Sequence, residues 1–73
     1  MNIIEGEKYK IDGFSDDQIG GKLMTMGLLP GYKIFVIRKA PFGGGFYIKV
    51  EKSCFIALSV QEIDTIRLIH LSQ

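Results

Sequence analysis

Apolar residues alternate with polar ones along most of this chain and fall at helical spacing over one stretch. Glu7 to Ile11 alternates: Tyr9 and Ile11 share a face with Glu7, and Lys8, Lys10 and Asp12 take the other, which predicts a first strand. Ile19, Leu23 and Met26 then recur at spacings of four and three, the stripe of a short helix. Its start is read at Ser15 as N-cap with Gln18 three residues on, a capping box, with Asp16 and Asp17 in the first turn and Phe14 and Ile19 placed as a hydrophobic staple. Gly20 and Gly21 weaken the helix interior by up to ~1 kcal/mol each relative to alanine. Gly27 ends the helix in the left-handed conformation, Leu28 packs back onto Leu23, and Pro30-Gly31 makes a turn.

Three strand-like runs follow. Tyr32 to Lys39 carries Ile34-Phe35-Val36-Ile37, apolar on both faces, as a central barrel strand would be. Phe46 to Glu51 alternates, with Phe46, Ile48 and Val50 inward. Cys54 to Leu58 puts Cys54, Ile56 and Leu58 on one face and Phe55 and Ala57 on the other, after a tight connection at Glu51-Lys52-Ser53. Ser59-Val60-Gln61-Glu62 is a second capping box, stapled by Leu58 and Ile63, and leaves room for a helical turn before a last strand from Thr65 to Leu71. The expected fold is mainly β: a closed or nearly closed small barrel of about five strands, with one short α-helix after the first strand and a helical turn before the last. The core is expected to gather Leu23, Met26, Ile34, Val36, Ile48, Val50, Ile56, Leu58, Ile66 and Leu68.

Composition narrows the class. At 73 residues the chain is one domain, 1–73, with one small core. With 47% hydrophobic residues and a net charge of +1, it is neither a disordered chain nor one that calls for nucleic acid or an anionic membrane. Its one cysteine, Cys54, excludes an intramolecular disulfide. The first residues lack a basic segment followed by a long apolar run, and no apolar stretch reaches the ~20 residues that cross a bilayer, so the expected location is the cytoplasm, without membrane insertion.

The run Leu23-Met24-Thr25-Met26-Gly27-Leu28-Leu29-Pro30-Gly31 resembles the L-x-x-M-G-L-x-P-G signature of the ferrous iron transport protein A (FeoA) family. Ile56-Ala57-Leu58 with Glu62 and Ile66 is similar to that family's later I-A-L … E-A … I segment, with Ile63 in place of the usual alanine. The similarity runs from about Glu7 to Leu71. It implies an SH3-like barrel and a cytoplasmic accessory role beside FeoB, the large membrane GTPase that carries Fe²⁺ into bacteria. Two departures are Gly43-Gly44-Gly45, where the family often has a polar-proline tip, and Ser59, where it often has arginine. The resemblance also covers the C-terminal domain of metal-dependent repressors, so a metal-responsive regulatory domain is the alternative, and a small RNA-binding barrel a more distant one.

The residues themselves argue for binding and against catalysis. No nucleophile is paired with a base by sequence, and capping accounts for Asp16 and Asp17. Cys54, His70 and the methionines at 1, 24 and 26 are too few soft ligands for a closed metal site, so no cofactor or metal is expected; Cys54 reads as a small buried hydrophobe. Gly43-Gly44-Gly45 lacks the Lys-Ser/Thr of a phosphate loop and reads as a flexible hairpin tip. Lys33, Arg38, Lys39, Lys49 and Lys52 read as a scattered, solvated set. The expected partner-binding residues are Met24, Leu28, Leu29 and Pro30 at one corner, with Leu29 at least half exposed, and Phe42, which either folds back as a lid or stands out as an anchor. The chain is expected to be a monomer or a weak homo-oligomer.

Overall fold

The computed structural model describes residues 3–52 and 55–72. Five strands, β1 (Lys8–Phe14), β2 (Lys33–Lys39), β3 (Phe46–Val50), β4 (Phe55–Leu58) and β5 (Ile66–Leu71), form one sheet in the order β4-β3-β2-β1-β5, every pair antiparallel. Helix α1 (Asp17–Thr25) joins β1 to β2, a 3₁₀ turn (Pro41–Gly43) lies between β2 and β3, and α2 (Val60–Thr65) joins β4 to β5. This is the expected mainly β architecture. The edge strands β4 and β5 make no ladder with each other among the described residues; α2 packs against both. The expected barrel is therefore an open five-stranded sheet at that seam.

Alternation decides the core. Tyr9, Ile11, Ile34, Val36, Ile48, Val50, Leu58 and Ile66 point inward and are buried, joined by Leu23 of α1, Ile63 of α2, Leu28 and Ile3. Met26, Ile56 and Leu68 pack against this cluster half-buried. The other face of the sheet meets solvent. β2 is the central strand, as expected, and is apolar on both faces, but Phe35 and Ile37 lie on the outward face and are exposed, so it is buried on one side alone. The chain before β1 also contributes: Ile3 is buried, and the Ile4 backbone N–H donates to the Tyr9 hydroxyl at 3.0 Å.

Helix α1 starts one residue later than its sequence pattern indicated. Asp16 is the N-cap, its carboxylate accepting the Ile19 N–H at 2.8 Å. Ser15 is drawn away instead: its N–H donates to the Thr65 carbonyl at 2.8 Å and its hydroxyl to the same oxygen at 3.2 Å. That tie between β1 and the end of α2 extends the first strand to Phe14, past a bulge between Ile11 and Gly13. The capping box at α2 is present in full, with Glu62 N–H donating to the Ser59 hydroxyl at 3.1 Å and Ser59 N–H to Glu62 Oε1 at 2.9 Å. Cys54, expected in the core, Ser53 and Met1 lie outside the described residues.

Candidate functional site

The corner between α1 and β2 is built by two consecutive backbone devices. Gly27 has φ 97°, its N–H donates to Met24 O at 3.1 Å, and the Leu28 N–H donates to Leu23 O at 3.1 Å. Those two bonds make the Schellman closure that the Leu23–Leu28 spacing predicts, with both leucines fully buried. Leu29-Pro30-Gly31-Tyr32 is then a tight turn: Pro30 supplies its fixed φ, Gly31 has φ 93°, and Tyr32 N–H donates to Leu29 O at 3.0 Å. The turn is anchored to β1 from both sides, Gly31 N–H to Ile11 O at 2.7 Å and Ile11 N–H to Tyr32 O at 2.8 Å.

Three of the four expected corner residues reach the surface: Met24 is 42% exposed, Leu29 37%, and Pro30 is exposed. Leu29 falls short of the expected half. Leu28 is a correction: it is fully buried, because its backbone closes the helix and its side chain fills the core, so it offers a partner no surface. Beside the corner runs a groove of about 260 Å³, walled by Phe14, Gly20, Gly21, Met24 and Pro30, with Asp16 and Asp17 also lining it. The two helix glycines, read from sequence as weak points, form this wall. Gly20 packs under Phe14, where a Cβ would lie 2.8 Å from the Phe14 Cβ, whereas a Cβ on Gly21 would meet nothing within 4 Å. Side-chain volume is missing along the groove.

Phe42 belongs to a different place. It sits in the turn after β2, while the corner precedes β2, so seven strand residues, roughly 20 Å, separate them. The lid reading is overturned: Phe42 is 104% exposed, with φ 60° and ψ 29°. Nor is the glycine tip a simple hairpin end. Gly44 N–H donates to Pro41 O at 3.2 Å and Ala40 N–H to Gly45 O at 2.8 Å, and Gly45 is buried against the Leu58–Ser59 backbone.

Of the basic residues read as a scattered, solvated set, two, Lys33 and Lys49, come together with Lys8 around one hollow. Lys8 pairs across from Phe35, Phe35 from Lys49, and Lys49 from Phe55, a row across the outward face of the sheet. Potential metal ligands do not converge: among the described residues no group of three or more His, Cys, Asp or Glu side chains forms. His70 instead lies 2.7 Å from Glu7 and its ring 5.0 Å from that of Tyr9. No helix among the described residues is long and apolar enough to cross a membrane.

An antiparallel sheet with one helix after its first strand and another before its last defines a small SH3-like module. The family model for the FeoA domain matches residues 1–69, and the chain belongs to the FeoA family. Solved structures agree on the fold. A FeoA-like protein from Clostridium acetobutylicum is 23% identical, with a TM-score of 0.88, over 99% of this chain and 84% of that one. Protein PA4359 from Pseudomonas aeruginosa is 31% identical, with a TM-score of 0.67, over 96% of each chain. FeoA of Stenotrophomonas maltophilia, solved with zinc and described as a prokaryotic SH3-domain protein and a candidate activating factor of bacterial ferrous iron transport, is 19% identical, with a TM-score of 0.76, over 93% of this chain and 85% of that one. A comparison with curated proteins finds no match.

Proposed function

We propose that this chain is a cytoplasmic accessory protein of bacterial ferrous iron uptake that docks on the membrane GTPase transporter FeoB and modulates it, through the corner formed by Met24, Leu29 and Pro30. Family membership supports the transport role. The observation that carries the surface is the rigid presentation of exposed apolar side chains beside a groove left open by Gly20 and Gly21. A corner fixed by two closed turns loses little conformational freedom on docking, so apolar contact made there converts efficiently into affinity. Glycine at position 21 lets a partner's backbone approach the helix closely.

The test is a pull-down with detergent-solubilised transporter, paired with thermal melts. Leu29→Glu is expected to abolish capture while the melt stays within a few degrees of the parent. Met24→Glu, more exposed still, should weaken capture without any packing loss. Capture of both variants at the parent level would show that the corner is not the interface.

A further inference from the structure

We propose that the outward face of the sheet, where Lys8, Lys33 and Lys49 surround Phe35, is a docking surface for an acidic extended segment of a protein partner. The strand register builds it. Leu71, Lys8, Phe35, Lys49 and Phe55 stand opposite one another from one edge of the sheet to the other, and antiparallel neighbours share a face. The next row adds Lys10 opposite Lys33. Two of the apolar members are large and open to solvent, Phe35 at 37% and Phe55 at 66%. Phe35 lies in a shallow hollow of about 210 Å³ whose lining includes all three lysines.

Charge selects the occupant. Glu51 is the one acidic residue lining the hollow, and its Oε1 already accepts the Lys33 backbone N–H at 3.0 Å. Among the described residues, Lys8, Lys33 and Lys49 make no ion pair. Three ammonium groups against a single carboxylate, around an aromatic floor, leave a net positive hollow that complements carboxylates carried on a segment with apolar residues between them. The rings also argue for a peptide over a nucleic acid strand. Lys49 Nζ stands 5.5 Å from the Phe55 ring centre, and Arg38 Cζ stands 5.3 Å from that of Tyr47, so a cation already lies over each of these two rings, where a base would have to displace it to stack.

The test titrates the ¹⁵N-labelled full chain with the synthetic peptide Glu-Glu-Leu-Glu-Glu, with its glutamine counterpart, and with an oligouridylate. The acidic peptide is expected to shift the amides of Lys8, Phe35, Lys49 and Phe55. Its binding should weaken by about tenfold in Lys33→Glu/Lys49→Glu and fall steeply as salt shortens the screening length to a few ångströms. If that double variant does not fold, Lys49→Gln alone should weaken binding severalfold. Equal binding of the glutamine peptide, tighter binding of the oligouridylate, or shifts confined to the Met24–Pro30 corner would each overturn the proposal. Leu29→Glu should leave the peptide titration unchanged, which separates this surface from the transporter-docking corner: either can fail alone.

Discussion

Lys22 Nζ on α1 lies 2.9 Å from Glu62 Oε2 on α2, and the same carboxylate accepts the Ser59 N–H through Oε1 at 2.9 Å. One side chain thus closes the cap of α2 and ties the two helices together. The Ser59 backbone N–H first, and the Lys22 ammonium second, hold the Glu62 carboxyl below the usual glutamate range. The Lys22 side chain is 65% exposed, so the cap should outweigh the ion pair.

A folded-state pKa below the unfolded one sets the sign of the pH dependence. The Glu62 contribution is fully present above the ordinary glutamate range and is lost as pH falls through that range to the lowered folded value. Glu62→Gln is therefore expected to lower stability at neutral pH by ~1 kcal/mol or less, with the gap to the parent closing at a pH well below the ordinary glutamate range. Urea melts at both pH values measure this; an equal gap at each would show that the charge is not involved.

Gly20 and Gly21 should respond in opposite directions to the same substitution. In a helix interior, glycine-to-alanine stabilises by up to ~1 kcal/mol when the methyl has room. Gly21→Ala has that room and should raise the melting temperature, while narrowing the groove beside Met24 and weakening transporter capture. Gly20→Ala drives a methyl into the Phe14 Cβ and Cγ, at 2.8 and 2.9 Å, and should melt lower despite its better propensity. Paired melts that rank the two variants the other way would contradict the packing of Phe14 on α1.

The glycine run after Phe42 should be similarly unequal. Gly43 has φ 71° and open space around its Cα, so Gly43→Ala costs only the left-handed backbone penalty of about 1–2 kcal/mol. Gly45 has φ 116°, and a Cβ there would collide with the Leu58 carbonyl oxygen and lie 2.9 Å from Ser59 Cα. Gly45→Ala adds a backbone clash to the conformational penalty and should be the more damaging variant by a clear margin in chemical denaturation. Equal losses would mean that β3 and the β4–α2 junction do not approach as closely as they do here.

Legibility tracked the range of the interactions. The Gly27–Leu28 closure and the Ser59–Glu62 box involve residues at most five apart, and both follow from local chemistry. The Ser15 cap failed for the opposite reason: a partner 50 residues away, Thr65, takes its N–H and hydroxyl, and Asp16 inherits the helix start. The four-residue apolar run at Ile34 to Ile37 looked doubly buried because composition does not reveal that the second face meets solvent. The same blindness hid the lysine and phenylalanine row, whose members are far apart in sequence and meet only through strand register. Of the corner, Met24, Leu29 and Pro30 could be read from the excess of apolar residues over what the helix end needs. Gly20 and Gly21 could not be read as a wall until Phe14 was placed on one of them.

Phe42 separates the two surfaces that sequence left as alternatives. Its ring buries nothing within the chain, and its backbone, at φ 60° and ψ 29°, is in a region that costs a bulky residue about 1–2 kcal/mol. Asparagine tolerates that region well. Phe42→Asn is therefore expected to raise the melting temperature slightly or leave it unchanged, since no packing is lost and strain is relieved. Only a partner that covers the ring would give Phe42 a stabilising role, and the rigid corner at the opposite end of β2 is the better-braced anchor. Transporter capture by Phe42→Asn should accordingly stay near the parent level under conditions where Leu29→Glu loses it. The reverse pattern would move the interface to the tip.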